Sequence, residues 1–240
     1  SKHPVRKRNK LFAERCFRQL EGFSGYGFPE SHAASFALLV YASAWLRHHH
    51  PEVYCCAILN SQPMGFYAPA QLVGDARRHG VEVRPVDVNA STWNCSLEPD
   101  GKGGLAVRLG FRMIKGFKDE DAHWLTAARG NGYRDLSSIR RRAGLFKPAL
   151  ERLAMADAFA SLGVSRRDAL WHAKAVDDAA PMPLLDDPLL DESLTKVPLP
   201  QLTLKEDVFD DFISTRLSLK DHPVRLVRGN AGKNITANVN

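Results

Sequence analysis

The stretch Gly22-Phe-Ser-Gly-Tyr-Gly-Phe-Pro-Glu-Ser-His-Ala-Ala-Ser-Phe36 joins a glycine-rich aromatic loop to a long apolar segment. Pro29 suits the first turn of a new helix, because the N–H group that proline lacks would be unpaired there anyway. Main-chain N–H groups at a helix start, with the Ser31 hydroxyl and the His32 imidazole beside them, form a natural phosphate site. In the structural alternative, Ser31 only caps the helix and His32 packs in the core. The residues alone favour that alternative, because serine caps are common.

Hydrophobic spacing predicts a mainly α-helical fold with short β segments. Residues 31–49 are apolar on nearly every face up to Leu46, which predicts a buried central helix that Pro51 terminates. Further helices are predicted at 52–59, 70–79, 111–170 and 206–215, with short strands near 81–88 and 105–109. A turn signal at 99–101 predicts a domain boundary or a β-hairpin between residues 89 and 104.

Charge and cysteine content narrow the class of protein. The formal charge of +6 is uneven, with basic residues crowding 2–10 and acidic residues crowding 177–192, which indicates a polyanion-facing part and an acidic connector. The four cysteines show no Cys-x-x-Cys pair and no histidine at ligand spacing, so neither a zinc site nor a disulfide framework is predicted. The longest apolar run is shorter than the roughly 20 residues that span a bilayer, and no signal peptide is recognised. We therefore expect a cytoplasmic protein with reduced thiols, no membrane association and no metal site.

The segment Met113-Ile-Lys-Gly-Phe-Lys118 is similar to a helix-hairpin-helix element. In such an element a glycine hairpin between two short helices presents main-chain N–H groups to a phosphate. Gly116 permits close approach of the backbone, Phe117 fills the helix interface, and Lys115 and Lys118 flank the anion. Lys118 stands where the commonest form has a second glycine, and an ordinary helical turn is the alternative.

Arg140, Arg141 and Arg142 form a second basic cluster. Two interpretations stay open for it. The run either binds the backbone of duplex DNA or forms a solvated helix face. In the first case, each phosphate that it neutralises adds close to one unit of salt dependence to binding.

Three motifs, taken in order along the chain, carry a resemblance to a known family. They are the loop of residues 22–36, Asn60-Ser-Gln-Pro-Met-Gly-Phe-Tyr67 and His79-Gly-Val-Glu-Val-Arg-Pro-Val-Asp-Val-Asn89. They resemble the C-terminal half of bacterial C-family DNA polymerases, specifically the error-prone, damage-tolerant relatives of the DNA polymerase III alpha subunit. The resemblance covers roughly residues 13–228. In that family a second, paired hairpin follows the first, and residues 153–163 match its hydrophobic helix, which we interpret as a packing element.

The resemblance implies a helical fingers subdomain followed by a tandem helix-hairpin-helix domain. The expected plan is late fingers at 1–90, hairpin domain at 91–175, acidic Pro-rich linker at 176–200, start of a further domain at 201–228 and divergent tail at 229–240. In the fingers, Tyr26, Ser31 and His32 would bind the incoming deoxynucleoside triphosphate. The residues expected to bind primer-template DNA are Lys115, Gly116, Phe117, Lys118, Arg140, Arg141 and Arg142.

The resemblance also implies where the chemistry takes place. Polymerases transfer a nucleotidyl group with two metal ions held by carboxylates. In this family those carboxylates lie in the palm, which precedes the fingers in sequence. We therefore expect no catalytic residue and no bound cofactor in this chain, with the Mg²⁺ site of the parent enzyme outside it and no polymerase activity of its own. The parent would carry out template-directed DNA synthesis past damage, that is, translesion synthesis.

Two alternatives from other functional classes stay open. A non-catalytic DNA-binding module, such as a repair scaffold, would bind duplex DNA through the hairpins without affinity for nucleoside triphosphate. A protein-interaction segment would use the acidic linker and residues 202–228 to bind a sliding clamp or another mutagenesis protein. Gln201-Leu-Thr-Leu204 is too short to identify a clamp motif.

Overall fold

The structure is a computed structural model that describes residues 4–25, 30–176 and 199–228. The helices are α1 (Pro4–Gly25), α2 (Glu30–His49), α3 (Pro51–Asn60), α4 (Pro69–Arg78), α5 (Asp119–Ala127), α6 (Leu136–Ala143), α7 (Lys147–Met155), α8 (Arg166–Ala175) and α9 (Leu204–Thr215). The strands are β1 (Val83–Arg84), β2 (Ser96–Pro99) and β3 (Leu105–Arg108). The chain forms two compact units, Ser1–His48 and His49–Asn240. The mainly helical fold with short strands is confirmed, whereas the domain boundaries drawn from the sequence stay predictions.

In the first unit, α2 exposes its apolar side chains. Leu38 is 72% exposed and Tyr41 is 70% exposed, so the prediction of a buried central helix is wrong for the described residues. Apolar residues lie on nearly every face of α2, so its apolar content does not specify which face is buried.

In the second unit, the other predicted helices and the strands are confirmed with shifted ends, whereas the segment predicted to be helical over 111–170 is divided among α5 to α8 and two 3₁₀ turns joined by loops. Proline occupies the start of both α3 and α4, where its missing N–H group is not needed. Gly80, just beyond α4, has a φ of 84°, the left-handed conformation that ends many helices. The strand expected over 81–88 shortens to the two residues of β1, because Pro85 follows directly and has no N–H to continue the ladder.

The three strands form one small sheet in the order β1-β3-β2. β1 pairs in parallel with β3, and β2 pairs antiparallel with β3, with Leu97 opposite Val107. The turn predicted at 99–101 therefore closes a β-hairpin. Glu98 accepts hydrogen bonds at 2.7 Å from both Arg84 and Arg108, which links all three strands by charge on one face.

The buried core runs from α3 and the sheet into the helices α5 to α8. Its largest fully buried side chains include Leu59, Val107, Phe111, Leu125, Ile139, Leu150, Leu153 and Phe159. Leu153 and Phe159 belong to the string of residues 153–163, so its interpretation as a packing element is confirmed. This core fixes the hairpins that connect its helices.

The cysteines are free thiols, and three of them, Cys55, Cys56 and Cys95, are buried. Burial raises the pKa of Cys55 to about 12 and that of Cys95 to about 11. Across the described ranges, we find no helix with the length and apolar character needed to cross a membrane.

Candidate nucleic-acid interface

The residues expected to bind nucleotide lie around the start of α2. Ser31 and His32 are exposed there, and Tyr26 lies outside the described residues. The His32 ring contacts the Phe36 ring at a centroid distance of 4.5 Å, and the Ser35 hydroxyl donates to the Ser31 carbonyl at 2.7 Å. His32 is therefore not buried in a core, as the structural alternative required. Nucleotide binding by these residues stays a prediction.

The first hairpin connects a 3₁₀ turn at Phe111–Met113 to α5. Gly116 has a φ of 74°, which favours glycine, and the following Phe117 is 5% exposed with its ring 5.6 Å from that of Phe111. Lys115 and Lys118 are exposed on either side. The positions predicted for these four hairpin residues therefore agree with the geometry, while their contact with DNA stays a prediction.

Two features make the first hairpin a weak anion site by itself. The Lys115 N–H group already donates to the Ser214 carbonyl of α9 at 2.8 Å. The first turn of α5 carries the carboxylates of Asp119, Glu120 and Asp121, close to where the phosphate would bind. These carboxylates stabilise the helix start but repel an anion there.

A second hairpin, between α6 and α7, has the geometry that the first lacks. Gly144 ends α6 with a φ of 65°, Leu145 is 3% exposed and anchors the turn, and Phe146 at the tip is 66% exposed. The N–H groups of Leu145, Phe146 and Lys147 donate no hydrogen bond to any described residue. Three main-chain donors at the start of a nine-residue helix thus point to a place where an anion can bind.

Charge around the second hairpin is positive. The first turn of α7 contains no acidic residue, and the last turn of α6 contains Arg140, Arg141 and Arg142. Arg142 donates to the carbonyls of Gly132 at 2.9 Å and Arg129 at 2.6 Å, so part of this run stabilises the fold. Arg141 is exposed, and Arg140 is partly buried. Both interpretations of the arginine run therefore keep some support.

Tyr133 packs against the arginine run through Arg142. The Arg142 guanidinium lies 5.0 Å from the centre of the Tyr133 ring, and the Tyr133 hydroxyl donates to the Leu125 carbonyl at 2.7 Å. Burial raises the pKa of this hydroxyl, which keeps it a hydrogen-bond donor. The contact fixes α6 against α5 and so sets the position of the second hairpin.

Sequence reasoning did not single out Gly144, Leu145, Phe146 or Lys147. The signal was present, because a glycine, a buried apolar residue and a nearby lysine follow one another in both hairpins. The bulky Phe146 obscured it, since the second hairpin position commonly carries a small residue.

Comparison with known proteins agrees with this geometry. Residues 80–169, which include both hairpins, match a family described as a helix-hairpin-helix motif. The chain is 58% identical over 218 residues to the error-prone DNA polymerase of Ruegeria pomeroyi, and 50% identical over 242 residues to that of Sinorhizobium medicae. Over most of its length the chain is similar to error-prone DNA polymerases. A further relative of the same name, from Mesorhizobium japonicum, is 50% identical over 254 residues.

The similarity to error-prone DNA polymerases extends over nearly all of this chain but over only a small part of each polymerase. The matches cover 90%, 90% and 96% of the chain but only 20%, 22% and 23% of the respective relatives. The chain thus spans about a fifth of the length of the curated relatives that it matches. The resemblance read from the three sequence motifs is confirmed.

Carboxylates in the described ranges do not form a metal centre. No group of three or more His, Cys, Asp and Glu side chains there could hold a metal ion. Asp157, Asp207 and Asp211 do cluster, but they face the cations of Arg166 and Lys220. These residues therefore do not fit the Mg²⁺ ions of a polymerase.

Proposed function

We propose that this chain supplies duplex-DNA binding to an error-prone DNA polymerase. The observation that carries the proposal is the second hairpin, with left-handed Gly144, three main-chain N–H groups without partners in the described structure, and Lys147 beside them. Donors of this kind contact phosphate and sugar and do not read base edges. The predicted binding is therefore indifferent to sequence and sensitive to salt.

In the whole enzyme, the proposed activity is template-directed synthesis past damaged bases. Tyr26, Ser31 and His32 would contact the incoming deoxynucleoside triphosphate, and the exposure of Ser31 and His32 supports this assignment. The Mg²⁺ site would lie outside this chain, which would not polymerise DNA by itself. A sliding clamp or another mutagenesis protein is a further proposed partner.

Fluorescence anisotropy of a labelled primer-template duplex across a salt series tests the DNA proposal. We expect Lys147→Ala to weaken binding and to reduce the slope of log affinity against log salt by about 0.9, the value for one phosphate contact. The pair Lys115→Ala/Lys118→Ala should weaken binding less. Lys102→Ala, in the exposed turn between β2 and β3, is the matched control and should bind like the wild type.

The outcome that contradicts the proposal is a folded chain, judged by circular dichroism, that fails to bind the duplex at low salt. Nucleotide binding has its own test, because the repair-scaffold alternative predicts duplex binding alone. Equilibrium dialysis with labelled dATP should show weak binding that Ser31→Ala/His32→Ala removes. Duplex binding without any dATP binding would favour the non-catalytic module.

A further inference from the structure

A cavity of about 300 Å³ lies between the first hairpin, α7 and α9. Its charged lining comes from Lys115, Glu151 and Arg152, and its apolar lining includes Ile114, Met155 and Ile213. Its size is at the lower end of the range of small-ligand sites, about 300 to 1,000 Å³. The cavity can therefore hold one small group with a charged part and an apolar part.

Arg152 brings a cation from α7 to the glycine of the first hairpin. A methyl group added to Gly116 would lie 3.3 Å from Arg152 Nε and 3.8 Å from Nη2, so the guanidinium lies directly against this glycine. Arg152 is half-buried, and within the described ranges its side chain forms neither a hydrogen bond nor an ion pair. A guanidinium removed from much of its water retains a strong preference for an anionic acceptor.

The main chain adds a donor at the same place. The Gly116 N–H group has no acceptor among the described residues, whereas its neighbour Lys115 donates to Ser214. The exposed Lys115 side chain lines the cavity from the other side. Arg152 thus compensates for the carboxylates at the start of α5, which would otherwise repel an anion from this hairpin.

We infer that Arg152, Lys115 and the Gly116 N–H group bind one backbone phosphate of the duplex, with the adjoining sugar against Met155 and Ile213. The inference rests on the proposed function and adds a residue that lies outside both hairpin loops. Lys147 and Arg152 are five positions apart on α7, roughly 7.5 Å along the helix axis. The two positions lie about 140° apart around the helix, so α7 supplies one cation to each hairpin.

Salt-dependent anisotropy with the same primer-template duplex tests the assignment. Arg152→Ala should weaken binding about tenfold or more at low salt, as expected for a charge-assisted hydrogen bond, and should reduce the salt slope by about 0.9. Arg152→Lys should retain the slope and lose part of the affinity, because lysine keeps the charge without the planar pair of donors.

Glu151→Gln should raise the affinity for the duplex, whereas Arg152→Ala should lower it. The Glu151 variant also tests the inference if Arg152→Ala does not fold. Removing the one carboxylate of the cavity lining should strengthen binding several-fold, while Lys102→Ala leaves it unchanged. The inference is overturned if Arg152→Ala keeps the wild-type slope or if Glu151→Gln binds no more tightly, while Lys147→Ala still weakens binding. Absence of binding by the folded wild type would overturn the proposed function as well.

Discussion

Replacing Arg166 by methionine should detach α9 from the hairpin domain. Arg166 is 3% exposed at the start of α8, and its guanidinium donates to the Asp211 carboxylate and to the Asp207 main-chain carbonyl. Three further carboxylates, those of Asp157, Asp207 and Asp210, lie 3.7 Å, 3.7 Å and 3.9 Å from it. Arg166 is thus the central cation of an acidic cluster that joins the two helices.

The stability lost in Arg166→Met depends on the carboxylates that remain without their cation. Removing one partner of a buried ion pair costs about 3–5 kcal/mol, because the other charge stays buried and unpaired. Lys220 keeps a cation 3.0 Å from Asp157 and 3.3 Å from Asp207, and the carboxylates are partly exposed. We therefore expect a loss at the lower end of this range, about 3 kcal/mol in the free energy of unfolding.

Urea denaturation followed by circular dichroism measures this loss. The matched control is Arg167→Met, which removes a single hydrogen bond to the Pro200 carbonyl at 2.7 Å and should cost about 1 kcal/mol. Adding Asp211→Asn to Arg166→Met should recover part of the stability, because one repelling carboxylate is then neutral. Equal losses for Arg166→Met and Arg167→Met would refute the reasoning.

Three other perturbations have expected outcomes. Gly144→Ala should cost about 1 kcal/mol in urea denaturation, because the added methyl group meets no atom within 4 Å and only the left-handed backbone is strained; a loss above 3 kcal/mol would contradict an open hairpin. Thr203→Ala should cost about 0.5–2 kcal/mol by removing the acceptor for the Glu206 N–H group, measured in the same assay against Ser137→Ala. Unfolded thiols lose protons from about pH 9, whereas folded Cys55 and Cys95 keep theirs to about pH 12 and 11, so the free energy of unfolding should fall as pH rises above 9. The fall should reach up to ~1.4 kcal/mol per pH unit for each thiol, and Cys95→Ala should flatten it; an unchanged slope would refute the linkage.

The sequence predicted the helix starts well where a local residue determines them. Proline fixes the starts of α3 and α4, and Gly80 fixes the end of α4, because each acts through its own backbone conformation. The burial of α2 was predicted wrongly, since burial depends on which surfaces lie nearby and apolar content does not specify them. Local sequence patterns therefore located the helices and strands but did not predict which of their surfaces pack together.

The same distinction explains what was found and missed in the candidate interface. Gly116 and Phe117 were identified because their motif is short and contiguous. Arg152 could not be, because it lies 36 positions further along the chain and reaches Gly116 only through the packing of α7 against the first hairpin. The hydrogen bond from the Lys115 N–H group to the Ser214 carbonyl joins residues still further apart in the sequence, so no local motif predicts it.

Docking of α9 and the phosphate site of the first hairpin are therefore coupled. The Ser214 carbonyl holds the Lys115 N–H group, and Ile213 lines the cavity that Arg152 enters. If Arg166→Met releases α9, the cavity loses this wall and Lys115 regains a main-chain donor. Within the described ranges, no main-chain hydrogen bond joins α9 to residues 144–147 of the second hairpin. Duplex binding by the second hairpin should then survive the loss of α9, and only the contribution of Arg152 should change.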